Sequence, residues 1–246
     1  MKKLLYFLSL ITSVVLVPIS CEIDNYPTPD AQVFGAIRDS VGGAMIETDL
    51  NSGSRIGAYE QGYPTPVLQE WYVKQDGSYR NNLVYSNTYN IVFQSCNFFP
   101  YKLDGWVIKP GENQRDFLVV PYIRIKNPSI TYDAGAKKIT ATFSLEGGKP
   151  SVKVGKISLY AFTDIYVGEY VKKTLSTGTG QPTKTLSGAE QTINPATVYT
   201  LSIDLTANAS VFAIHRNYYF RIGAMAIQSG VGTIRTNYAP YVKIAL

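Results

Sequence analysis

From Ala31 to the end of the chain, apolar side chains recur at every second position in short runs that Gly, Pro and Asn interrupt. A period of two sends alternate side chains to opposite faces, which describes a half-buried strand and not a helix. Val33, Gly35 and Ile37 share a face against Phe34, Ala36 and Arg38, and Trp71 and Val73 oppose Tyr72 and Lys74. Ile157, Leu159 and Ala161 fall on one side of their segment, while Tyr218, Phe220, Ile222 and Ala224 oppose Tyr219, Arg221 and Gly223. Asp39–Gly43, Asp76-Gly77, Pro110-Gly111 and Asp133–Gly135 supply the turns. The 19 tyrosines, with no leucine-rich helical period, also favour strands. The expected fold is all-β, two tandem β-sandwich domains. Only Asn208–His215 offers a short helix.

The start of the chain reads differently. Residues 1–20 join a basic start at Lys2 and Lys3 to an apolar stretch that ends in Ser20, before Cys21. This is the grammar of an export signal, and a cysteine at the cleavage point is what a bacterial lipoprotein offers to lipid. The expectation is a chain that begins at Cys21, is lipid-anchored there and works outside the cytoplasm; the alternative is ordinary secretion with cleavage nearby. Residues 21–30 form a tether stiffened by Pro27 and Pro29. Residues 31–126 and 127–246 are assigned to the two sandwiches, with the boundary around Lys126–Ser129.

Losing Lys2 and Lys3 with the signal lowers the formal charge from +5 to +3. A balance this mild, without a Lys/Arg cluster, argues against nucleic acid as a partner. If Cys21 carries lipid, Cys96 has no disulfide partner and is expected as a buried small residue in a strand.

Two local patterns resemble known domains. Val33-Phe-Gly35-Ala-Ile37, Lys74-Gln-Asp-Gly77-Ser-Tyr79 and Asn87-Thr-Tyr89-Asn-Ile-Val92 resemble the carboxypeptidase-regulatory, transthyretin-like domain, with Asn87 where that domain usually has Gly. Tyr218-Tyr-Phe-Arg-Ile-Gly-Ala224 with Asn237-Tyr-Ala-Pro-Tyr-Val-Lys-Ile244 looks like the last strands of an Ig/fibronectin type III-like sandwich, Tyr218 taking the tyrosine-corner position. Together with Cys21-Glu-Ile-Asp-Asn25-Tyr26-Pro-Thr-Pro29-Asp30, Trp71–Gly77 and Pro121–Ile125, the order resembles a family of Bacteroidota outer-membrane lipoproteins of unknown function. That resemblance implies association with SusC/SusD-type glycan-uptake systems, SusC/SusD-like transporter components and polysaccharide as partners, and an address at the outer membrane facing the exterior. Glu22 and Asp24 then read as a surface-export signal, or else as a solvated linker.

The residues give catalysis little material. His215 is the only histidine, so a His-rich metal site is short of parts. No phosphate-cradling loop occurs, since Gly178-Thr-Gly180 lacks the following Lys and helix. No catalytic residue, metal or cofactor is assigned. Sugar rings stack on aromatic faces, so the candidate ligand-binding residues are Trp71, Trp106, Tyr166 and Tyr170. Trp71 shares parity with Val73 on a half-buried strand and suits a core better than a ligand; Trp106 follows a turn-like Asp104-Gly105; Tyr166 and Tyr170 either line a platform or cover an edge. The expected function is an accessory glycan-binding or glycan-capture lipoprotein. The alternative is a structural, adhesion or assembly subunit of a transporter complex without a glycan site of its own.

Overall fold

The computed structural model describes residues 27–246; Cys21 and the export signal lie outside the described residues. The described residues form sixteen strands: β1 (Ala31–Asp39), β2 (Arg55–Glu60), β3 (Leu68–Tyr72), β4 (Ser78–Val84), β5 (Asn87–Gln94), β6 (Lys102–Ile108), β7 (Gly111–Gln114), β8 (Phe117–Val119), β9 (Ile123–Asp133), β10 (Lys138–Gly147), β11 (Lys153–Phe162), β12 (Thr183–Thr185), β13 (Val198–Asp204), β14 (Asn217–Ile227), β15 (Asn237–Tyr238) and β16 (Val242–Ala245). No α-helix occurs among the described residues; Gly188–Gln191 makes one 3-10 turn.

In the first domain β1 lies antiparallel to β4, and parallel to β7 along its first half and β8 along its second. The facing sheet runs β3-β2-β5-β6, antiparallel throughout. The alternation read from sequence is the cause: Val33 and Ile37 of β1 point inward against Ile56, Trp71, Tyr89 and Phe117. Aromatic edges meet faces across this core, as in Trp106–Phe117 with centroids 5.9 Å apart at 85°. Ala44–Thr48 returns toward β1, but the pairing is a single bridge between Arg38 and Met45. Cys96 is buried and free, and burial pushes its thiol up to about 12.

The second domain packs the sheet β13-β10-β9 against β12-β11-β14, with β15 and β16 both pairing β14. Ile139, Phe143, Leu145, Leu159, Phe220 and Ile222 form the centre of its core. The Tyr218 hydroxyl donates to the Ile214 carbonyl at 3.0 Å, closing the corner expected of that residue.

Two sequence expectations are corrected here. The chain leaves the first domain after Val119 and enters β9 at Ile123, so Lys126–Ser129 lie inside a strand and not at a boundary. Strand β9 pairs only β10 and is an edge, where Pro128 costs no ladder bond. There Asn127, at φ 49°, and Pro128 form a bulge opposite Phe143, where the register shifts. Asn208–His215 is a series of turns, not a helix. The Asn208 side chain donates to the Asp204 and Ser176 carbonyls at 2.7 and 2.9 Å and accepts from Ser176 N–H at 2.8 Å, competing with helical hydrogen bonding.

The domains are stitched where the chain passes between them. Phe98 inserts into the first core and the next residue, Phe99, into the second. Phe98 also bridges Pro121 on the crossing segment.

Candidate functional site

Strands β11 and β14 are buried on both faces. One face meets the second domain's own core; the other, carrying Ser158, Tyr160 and Arg221, turns toward the first domain. Arg221 has no exposed side-chain surface. Its guanidinium donates to Glu47 Oε2 at 2.6 Å, to the Thr48 carbonyl at 3.1 Å, to the Val167 carbonyl at 3.2 Å and to the Ala239 carbonyl at 3.2 Å, and stacks 4.1 Å from the Tyr238 ring centroid. A buried charge is tolerated only when its donors are met in this way. Gly223 makes room: a Cβ there would lie 2.7 Å from the Tyr160 ring. Gly168 does the same for Asp49, whose Oδ1 would sit 1.9 Å from an added Cβ.

Around Arg221 the joint is largely polar. Tyr238 donates its hydroxyl to Asp49 and accepts from Glu169 N–H at 3.0 Å; Tyr160 donates to Glu169. Burial raises the Glu47 and Asp49 carboxyls above their ordinary values, although Arg221 opposes it for both and the Tyr238 hydroxyl for Asp49. Asn97, fully buried, donates to the Glu47 carbonyl at 2.7 Å and the Thr236 carbonyl at 3.2 Å, while Asn237 donates to the Asn97 carbonyl at 2.7 Å.

A second ion pair closes the joint's edge. Arg124 of β9 holds Asp39 of β1 through two bonds of 2.5 and 2.8 Å. Burial works to raise the Asp39 carboxyl, but the bonds from Arg124 and the Val41 N–H, with the charge of Arg124, hold it below the ordinary 3.8. A carboxyl lowered in the folded state adds stability above its unfolded value, and that stability is lost as pH falls through the folded one. The stability gap between wild type and Asp39→Asn is therefore full at pH 7 and shrinks below about pH 3.8. Urea melts at pH 7 and pH 3 measure it; an equal gap at both would remove the ion pair as its source.

On one side of this joint opens a cleft of about 450 Å³. The first domain contributes Glu47, Lys74, Gln75 and Asp76; the second contributes Ile165, Tyr166 and Tyr241. Tyr166 is 42% exposed and Tyr241 41%. Asp76 sits on the tight turn Lys74–Gly77, with Oδ1 taken by Ser78 N–H and Oγ at 2.9 and 2.7 Å. Glu47 gives Oε2 to Arg221. The other oxygen of each carboxylate has no hydrogen-bond partner among the described residues, and Lys74 is exposed beside them. Aromatic walls above a floor of hydrogen-bonding groups can hold a polyhydroxylated ring through its C–H face and its hydroxyls.

The four candidate residues separate. Trp71 and Trp106 are 4% and 8% exposed, pack 6.3 Å apart in the first core and offer no face to a ligand. Trp106 turns inward because Gly105 takes φ 69° where the β5–β6 register shifts, so the apparent turn is a bulge within β6. Tyr166 lines the cleft. Tyr170, 55% exposed, comes from the same loop but faces a different, smaller cleft beyond Val167, which is buried in the joint. Sequence reading missed Tyr241, Glu47 and Arg221. Arg221 left a signal: its strand neighbours on the same face, Tyr219, Gly223 and Met225, are not those of a solvated strand. His215 is exposed, and no group of three or more His, Cys, Asp or Glu residues that would hold a metal occurs among the described residues.

Solved structures resemble the chain over nearly all of the described residues. One, named a "putative carbohydrate binding protein" from Bacteroides uniformis, is 46% identical, covering 89% of this chain and 100% of that one with a TM-score of 0.83. DUF3823 family proteins from Bacteroides ovatus (20% identity, 88% and 99% covered, TM-score 0.69) and Parabacteroides merdae (16% identity, 89% and 100% covered, TM-score 0.69) share the fold. No curated protein matches. Residues 31–120 match the "Protein of unknown function (DUF3823) N-terminal domain" and residues 123–243 the "Domain of unknown function (DUF3823_C)". The two matches meet at the crossing segment, and the chain belongs to the DUF3823 family.

Proposed function

We propose that the protein is a cell-surface lipoprotein that captures glycan in the cleft between Tyr166 and Tyr241. The observation that carries this reading is the pairing of two half-exposed tyrosines with the carboxylates of Glu47 and Asp76 in one interdomain cleft. The name of the relative at 46% identity supports it. Anchoring through lipid on Cys21, an outer-membrane address facing outward, and work beside SusC/SusD-like transporter components complete the proposal. So do a transthyretin-like first domain and an Ig/fibronectin type III-like second one, the latter supported by the Tyr218 corner. These rest on the sequence resemblance. Among the described residues no helix is long and apolar enough to cross a membrane.

Native affinity electrophoresis of the purified protein through gels containing a panel of polysaccharides tests the reading. At least one glycan is expected to retard the wild type, and Tyr166→Ala to weaken that binding about tenfold or more, as for an anchoring aromatic. A panel that retards neither protein would sink the glycan reading.

A second reading has its own support. Edge strand β3 and the loop before it expose Tyr63 at 60%, Val67 at 77% and Tyr72 at 62%. Such an edge suits a structural, adhesion or assembly subunit. A transporter component that copurifies from solubilised membranes, and is lost with Val67→Lys, would favour it.

A further inference from the structure

The loop that gives Tyr166 to one cleft gives Tyr170 to another of about 220 Å³, across the joint. Arg235 lines this second cleft, with Nη1 3.3 Å from the Tyr170 hydroxyl. Arg235, like Arg55, Arg115 and Arg216, holds no carboxylate among the described residues, and its Nε is buried with no hydrogen-bond partner. A buried donor atom without an acceptor is costly, so an acceptor brought to this guanidinium gains more than one brought to a solvated arginine.

The rest of the lining narrows the ligand. Glu169 spends its oxygens on Tyr160, Lys156 and Lys172, and Asp49 on Tyr238. An ionised carboxylate has about four acceptor sites, so both retain capacity toward hydroxyls. Ser52 and Thr236 add hydroxyls of their own. A bare inorganic anion would be attracted by Arg235 and repelled by the two carboxylates. A neutral sugar would satisfy the carboxylates and leave Arg235 unmet.

We propose that the Tyr170–Arg235 cleft is a subsite for a uronic acid. The sugar carboxylate lies against the Arg235 guanidinium, a small shift of that side chain opening Nε to it; the ring lies on Tyr170, and ring hydroxyls face Glu169 and Asp49. A planar guanidinium meets a carboxylate through two parallel bonds, which gives orientation as well as attraction. This subsite does not depend on the Tyr166 cleft binding anything.

Isothermal titration of the protein with galacturonate and trigalacturonate tests it, beside methyl galactoside and inorganic sulfate. Saturable uronate binding is expected, weakened tenfold or more by Arg235→Gln, weakened less by Arg235→Lys, and unchanged by Tyr166→Ala. Methyl galactoside and sulfate are expected not to compete. Circular dichroism melts confirm that each variant is folded, and Tyr170→Ala, outside the buried joint, provides a second route to the same loss. Three outcomes overturn the subsite: no saturable uronate binding by wild type, uronate binding unchanged in both Arg235→Gln and Tyr170→Ala, or equal competition by sulfate. Loss of glycan retention in Tyr166→Ala with uronate binding intact would separate this cleft from the other.

Discussion

Arg221→Ala is expected to destabilise the protein by about 3–5 kcal/mol, the range found when one partner of a buried ion pair is removed. For a chain of this size that lowers the melting temperature by about 6–20 °C. The reason lies in what remains. Glu47 is left with no cation, and the Thr48, Val167 and Ala239 carbonyls lose a shared donor inside the joint. Arg221→Lys keeps a charge but has one nitrogen where the guanidinium has three, so it should recover only part of the loss. The effect also depends on pH. Glu47 is already raised in the folded protein by burial, and without Arg221 it rises further. A carboxyl raised in the folded state contributes stability below its unfolded value and loses it as pH rises through the folded one. The penalty of Arg221→Ala is therefore largest at neutral pH and shrinks on acidification toward the ordinary Glu value of 4.5. Calorimetry at pH 7 and pH 4.5 reads both expectations. The wild type should melt in one transition and the variant in two. A single unshifted transition in Arg221→Ala would show that the guanidinium does not hold the domains together.

Asn97→Ala should cost about 2–4 kcal/mol, since two buried carbonyls, Glu47 in one domain and Thr236 in the other, lose their donors. The residue is small, so little packing is lost; the effect is one of unmet hydrogen bonds. Asn97→Asp separates the two causes. It preserves volume yet turns donors into acceptors aimed at carbonyls, and should be worse than alanine at pH 7. If Asn97→Asp proved as stable as wild type in urea, the two carbonyls would have to be satisfied in another way.

The layout of the sandwiches was legible because a half-buried strand writes its pattern at period two, and Val33, Ile37, Phe220 and Ile222 all fall where that pattern puts them. The same rule hid the joint. It records one buried face, so Arg221 and Tyr160, on the second buried face of their strands, read as ordinary outward residues. The boundary placed around Lys126–Ser129 falls inside β9, an edge strand, where a proline does not end the strand. Aromatic identity gave no depth: Trp71 and Trp106 look the same in sequence as the exposed Tyr166 and Tyr170. The cleft itself joins residues 47, 76, 166 and 241, which share no local pattern and meet only through the docking of one domain on the other.

Phe98 and Phe99 place neighbouring rings in separate cores. Tandem sandwiches are often traded among proteins as interchangeable parts, each cut at a loop that belongs to neither. Here the one place to cut, between Val119 and Ile123, does not leave both parts whole: Phe99 is stranded on the first fold and its place in the second core is left empty. Such a pair can be inherited together but not recombined, so its two halves are expected to diverge in step, as one gene unit with one evolutionary history.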